Sequence, residues 1–304
     1  MHAPRSIAVV TALAGSFLWA CGPLYGSGGN PNYERCGAAT CDPPPISSGV
    51  PSPSVTAPAP SACPPSMAGI PGGLYVTEPG QGQKQVAPYC MDRTLVTVDA
   101  FVACVQAGVC APPNAYDPND YGGAVRSNAC NYRHPGRGNY PINCVDQYQS
   151  ATYCQWRKGA RLPTLAEWQW AAMNGERATA YPWGDDPPTP ARLNICGTEC
   201  QDVKAMREHP DLYDKPSIEG GDSFKETSPV DAFPAGRNDW GVGDLLGNVT
   251  QWTSTWWGSL KGVPHVYVAG VPYDITTLRT VVAEHTYDSS AARVPRVGFR
   301  CVFP

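Results

Sequence analysis

The chain has 304 residues, a formal net charge of −4, 33 prolines, 31 glycines and 13 cysteines. A near-neutral balance with no basic run argues against a nucleic-acid partner. The five histidines (2, 134, 209, 265 and 285) form no i, i+4 pair and no HExxH, so no histidine-based metal site is signalled. So many cysteines without a CxxC pair predict an oxidising compartment rather than a cytosolic metalloprotein.

Arg5 precedes an apolar run, Ile7–Ala20, which is too short to span a bilayer and suits a signal peptide over residues 1–20. It ends Leu18-Trp19-Ala20-Cys21-Gly22, which resembles a bacterial lipobox, although Trp19 is unusual there. Lipidation of Cys21 would tether the protein to a membrane without making it span one. Cleavage as an ordinary secretory signal is the alternative, and both place the chain outside the cytoplasm, in the periplasm or on the outer membrane of a cell envelope. Without Cys21, 13 − 1 = 12 thiols remain, an even number. Residues 21–62 are a lipidated cysteine followed by a Pro/Gly/Ser-rich linker, in which Cys36 and Cys41 can close a small loop. The folded domain is expected at 63–304.

Within it, Ser66–Val76 predicts an opening β-hairpin. Apolar residues at 98, 101, 102 and 105 predict a helix over Val98–Ala107 with Gly108 as its stop. Residues 111–143 are turn-rich and predict an ordered loop. Asp146 and Gln149 form a capping box for a helix to about Arg157, and Thr164 and Glu167 form a second for Leu165–Met173, stopped by Asn174-Gly175. Beyond this only short β runs appear, such as Val266–Val271 and Arg300–Phe303. Gly241–Trp257 predicts an oxygen-lined loop running into a core strand, with Trp252, Trp256 and Trp257 expected in the core first and a groove-facing place for one of them as the alternative. Tyr181 and Trp183 are likewise expected in the core, and Asp185-Asp186 in a solvated turn. Neither GxSxG nor a P-loop is present. Glu284-His285 lacks a nucleophile and is expected to be an exposed loop pair.

Six separated segments fall into one order: GARLPTLAEWQWAAMNG (159–175), YPWG (181–184), LNIC (193–196), SPVDAFPAG (228–236), GDLLGNVTQWTSTWW (243–257) and VGFRCV (297–302). Together they resemble the formylglycine-generating enzyme, or sulfatase-modifying factor, family. The resemblance implies an α+β, coil-rich, disulfide-stabilised variant of the C-type-lectin-like fold. It also implies a bridge between Cys154 and Cys301. Closeness in sequence suggests Cys104 with Cys110, Cys130 with Cys144 and Cys196 with Cys200, leaving Cys63 with Cys90; many other connectivities remain open.

The resemblance implies two calcium sites built from oxygens. One maps to Asn194, the carbonyl of Ile195, Asp222 and the carbonyl of Phe224. The other maps to Asp244, where the family has an asparagine, the carbonyls of Gly247 and Val249, and Gln251, where it has a glutamate; the two changes offset in charge. The alternative is that these side chains only hydrogen-bond loop backbone. The family's enzymes oxidise a sulfatase cysteine with oxygen and a copper(I)-holding thiol pair. Those two places carry Thr277 and Val282, and no cysteine lies between Cys200 and Cys301, so copper is not expected. Arg279 matches an arginine of the active segment and marks a candidate cleft with Trp240 and Trp256. The expected function is a binding module for an extracellular or periplasmic peptide, protein or glycan. The alternative is an oxidoreductase of this family acting on proteins. The histidine-rich iron motif of other oxidative members is absent.

Overall fold

Among the described residues three α-helices form where their caps place them. Helix α1 (Val98–Gln106) is capped by Thr97, whose side chain accepts from Ala100 N, and Gly108 follows it at φ 72°. Helix α2 (Gln147–Trp156) has the full Asp146/Gln149 capping box, and α3 (Leu165–Ala172) has that of Thr164/Glu167. Such caps satisfy amide donors that a helix start otherwise leaves unpaired, worth about 1 kcal/mol each. Burial would push the Glu167 carboxyl up, but the Arg161 guanidinium and Thr164 together hold it below its usual value.

These elements belong to a computed structural model that describes residues 57–76, 83–117, 119, 127–197, 220–275 and 285–304. The leader, Cys21, Cys36, Cys41, Cys200, Thr277, Arg279, Val282 and Glu284 lie outside the described residues. Pairing begins ahead of the expected boundary at Cys63, because Ala57 already exchanges two backbone hydrogen bonds with Gly72.

Strands β1 (Met67–Ile70), β4 (Tyr89–Asp92) and β9 (Val302–Phe303) make one antiparallel sheet in the order β1-β4-β9, which brings the two ends of the domain together. Strands β2 (Gly73–Val76) and β3 (Gln83–Val86) form a separate antiparallel pair. The expected hairpin across Ser66–Val76 is therefore not present: β1 and β2 belong to different sheets. The Pro71-Gly72 step between them is held elsewhere, with the Pro71 carbonyl on the Trp170 indole N–H at 2.7 Å and Gly72 bridged to Ala57. The third sheet has the order β7-β6-β5-β8, from β5 (Thr250–Leu260), β6 (Val263–Ala269), β7 (His285–Ser289) and β8 (Val297–Gly298). Among the described strands only β5 and β8 run parallel.

Burial concentrates in two apolar clusters. One surrounds Trp168 and Trp170 of α3; the other packs Phe101, Tyr153, Trp252 and Phe299 around α1 and α2. The buried indoles find acceptors: Trp168 on Gln251 Oε1 (2.9 Å) and Trp252 on Val145 O (3.0 Å). Trp256 and Trp257 depart from expectation, being 57% and 36% exposed. Strand β5 is irregular between Trp252 and Gly258 and carries both rings past the core. Tyr181 and Trp183 are half-buried and stack at 5.1 Å, while Asp185 and Asp186 are exposed. Disulfides join Cys63 to Cys90, Cys104 to Cys110, Cys130 to Cys144 and Cys154 to Cys301. Cys196 is buried, with Cys200 outside the described residues.

Candidate functional site

Three coil segments meet beside α3: 193–197, 222–228 and 244–251. Gly247 makes the approach possible. It has φ 80°, and a Cβ there would lie 2.4 Å from the Asn194 carbonyl. Asn248 then donates its backbone N–H to that carbonyl (2.8 Å), while its side chain both accepts from and donates to the Ser228 backbone. The Asp222 carboxylate accepts from Ile195 N and Phe224 N, each at 2.8 Å. Asn194 donates its amide to Glu226 O at 2.9 Å. Two buried oxygens of this junction, Asn194 Oδ1 and Ser228 Oγ, have no hydrogen-bond partner among the described residues. An orphaned buried acceptor costs about 1–3 kcal/mol. An orphaned amide oxygen, with a carboxylate hydrogen-bonded to the next residue, is the donor chemistry a hard cation takes.

In the second oxygen set, a buried guanidinium takes the Gln251 oxygen. Arg300 is fully buried and donates through Nε to Gln251 Oε1 (2.7 Å), through Nη1 to Asp92 O (3.0 Å), and through Nη2 to Gly243 O (2.7 Å) and Asp244 O (2.9 Å). Gln251 Oε1 also takes the Trp168 indole, so both its lone pairs are used. The Asp244 carboxylate accepts from Asp231 N at 2.9 Å. Burial pushes the Asp244 carboxyl up from its usual value and lowers the Arg300 guanidinium to about 10.

Behind Arg300, Asp92 pairs with Arg157 at 2.6 Å and accepts from Cys301 N at 2.9 Å. Burial raises the Asp92 carboxyl in spite of Arg157. Sequence reading missed Asp92, Arg157 and Arg300. The signal for the last was available: an arginine inside the apolar run VGFRCV needs buried acceptors.

Of the expected cleft, Trp240 is half-buried and packs its ring 3.4 Å from the Cβ position of Gly175, and its carbonyl accepts from Arg93 at 2.8 Å. Trp256 is exposed on β5, and Arg279 lies outside the described residues. On the third sheet Trp257 stacks on Tyr287 at 3.8 Å, with His265 edge-on to both. His285 opens β7 with Nδ1 3.5 Å from the Gln169 amide. Among the described residues no group of three or more His, Cys, Asp or Glu side chains is placed to hold a metal.

Sparse helices, three small sheets, a long coil-rich path and a bridge from α2 to the C-terminal strand define a C-type-lectin-like α+β domain of the formylglycine-generating enzyme type. A profile of the sulfatase-modifying factor enzyme 1-like domain matches residues 53–303, and the chain belongs to that family. It is 31% identical over 197 residues to the formylglycine-generating enzyme of Mus musculus, a match covering 56% of this chain and 48% of that protein. It is 32% identical over 180 residues to the inactive C-alpha-formylglycine-generating enzyme 2 of Bos taurus, covering 55% of this chain and 53% of that one. The chain thus spans about half the length of these relatives. The crystal structure of CarF shares the fold at a TM-score of 0.56 and 19% identity, covering 79% of this chain and 98% of that one.

Proposed function

We propose that this chain is an exported, lipid-anchored binding module of the family, taking a peptide, protein or glycan at the cell envelope, and that it does not generate formylglycine. The observation that carries this reading is missing sulfur. No cysteine occurs between Cys200 and Cys301, and the places aligned with the copper-holding thiols carry Thr277 and Val282. A hydroxyl and an isopropyl group offer copper(I) no soft ligand. A relative whose name declares it inactive supports the reading, as do the exposed rings of Trp256, Trp257 and Tyr287, since aromatic residues are enriched where proteins bind partners. Incubated with copper(I) and oxygen, the purified chain should leave a sulfatase-derived cysteine peptide unconverted. Appearance of the aldehyde would establish the oxidoreductase reading, which otherwise rests on family membership.

We propose a calcium ion at Asn194, Ile195, Asp222 and Phe224, supported by the orphaned Asn194 oxygen. Its role would be to tie the 193–197 and 222–228 segments together. A ligand at about 100 times its Kd stabilises by about 2.7 kcal/mol. Chelation should therefore lower Tm by several degrees, and Asn194→Ala with Asp222→Ala should remove the difference. An identical transition with and without chelator would count against the ion. The anchor is tested separately: Cys21→Ala should move the protein from the membrane fraction to the soluble one, and unchanged sedimentation with membranes would refute lipidation there.

A further inference from the structure

Away from the three-loop junction, a cavity of about 250 Å³ opens between β4, the first turn of α1 and the last turn of α2. Ser66 and Arg157 stand at its mouth, Asp92 and Tyr153 at its floor, and Leu95 and Val96 form an apolar wall. Its polar groups are unevenly spent. Arg157 uses Nη1 on both Asp92 oxygens, at 2.7 and 2.6 Å, and Nη2 on Ser66 Oγ at 3.3 Å. A guanidinium carries five N–H groups. The Nε proton and one on Nη2 therefore have no partner among the described residues. The Ser66 hydroxyl accepts from Arg157 and keeps its own proton to give.

The Tyr153 phenol makes no hydrogen bond among the described residues, and burial raises it, so it stays a donor. Acceptors are scarcer, because Asp92 already takes Arg157 on both oxygens and Cys301 N on one. Surplus donors around a half-engaged arginine call for a ligand rich in acceptors. The fork of a guanidinium matches a carboxylate above other such groups. Sites for drug-sized ligands occupy about 300–1,000 Å³, so the occupant here is smaller.

We propose that this cavity binds a small carboxylate, received by the free edge of Arg157 with Ser66 and Tyr153, its apolar body lying on Leu95 and Val96. The acid can be a free molecule or the C-terminus of a chain. Calorimetric titration of the full chain with benzoate, benzamide, and a tetrapeptide bearing either a free or an amidated C-terminus tests the site. Benzoate or the peptide acid should saturate it, and the neutral counterpart should bind at least about 10-fold more weakly, as expected for losing a hydrogen bond to a charged group. Binding of benzoate alone assigns a free acid; binding of the peptide acid assigns a chain end.

Arg157→Gln should abolish binding, but it unpairs buried Asp92 and can fail to fold. Tyr153→Phe removes a single oxygen and Ser66→Ala an exposed hydroxyl, and each should weaken binding about 3- to 10-fold. The proposal is overturned if neither acid saturates by about 10 mM, if benzamide matches benzoate and the amidated peptide matches the acid, or if both conservative variants bind like the parent.

Discussion

Replacing Cys154 and Cys301 together by alanine should lower the unfolding free energy by about 5 kcal/mol. The bridge spans 147 residues, and the entropy that a cross-link removes from the unfolded chain grows with the logarithm of that length. Both sulfurs are fully buried, so alanine is preferred to serine, which would add a hydroxyl without an assured partner. The bridge ties α2 to the junction of β8 and β9, which have two residues each and belong to two different sheets. The same change at Cys104 and Cys110, only six residues apart, should cost about 2 kcal/mol. Urea unfolding without reductant reads both. Equal losses for the two pairs would mean that chain entropy is not what the long bridge supplies.

What was legible in the sequence was local. Capping boxes at Asp146/Gln149 and Thr164/Glu167 placed two helix starts, because their chemistry is complete within four residues. Strand partners were not legible, because pairing joins distant residues. Nothing within Ser66–Val76 says that Met67 will lie opposite Asp92 rather than opposite its own neighbours. Trp256 and Trp257 failed for a related reason. An indole's hydrophobicity argues for the core, but the bulges in β5 decide how far the strand runs past it. At the candidate site, Asn194 and Asp222 came from the family resemblance and do meet in space, since Asp222 accepts from the neighbour of Asn194. Gln251 came from the same source, and its oxygen is already taken by Arg300 and Trp168.

That hub gives the second large effect. Arg300→Ala should cost about 3–5 kcal/mol, the range for breaking a buried charged network by removing one member. The carbonyls of Asp92, Gly243 and Asp244 lose a donor at once, and the space of a large side chain is left empty. Arg300→Lys should recover little, because an ammonium cannot reproduce a fork that reaches four acceptors. Arg300→Met should lose less than alanine. Burial depresses the folded arginine to about 10, below its ordinary value, so burying its charge opposes folding at every pH below about 10. That penalty is relieved only as pH rises beyond about 10, and methionine, being neutral, avoids it throughout. Gln251→Ala alone should cost less than Arg300→Ala, because Trp168 and Arg300 lose only one acceptor. The double variant should fall short of the sum by about 0.5–3 kcal/mol, as expected for residues in one network. Strict additivity in the unfolding midpoints would show that the two side chains are neighbours without being coupled.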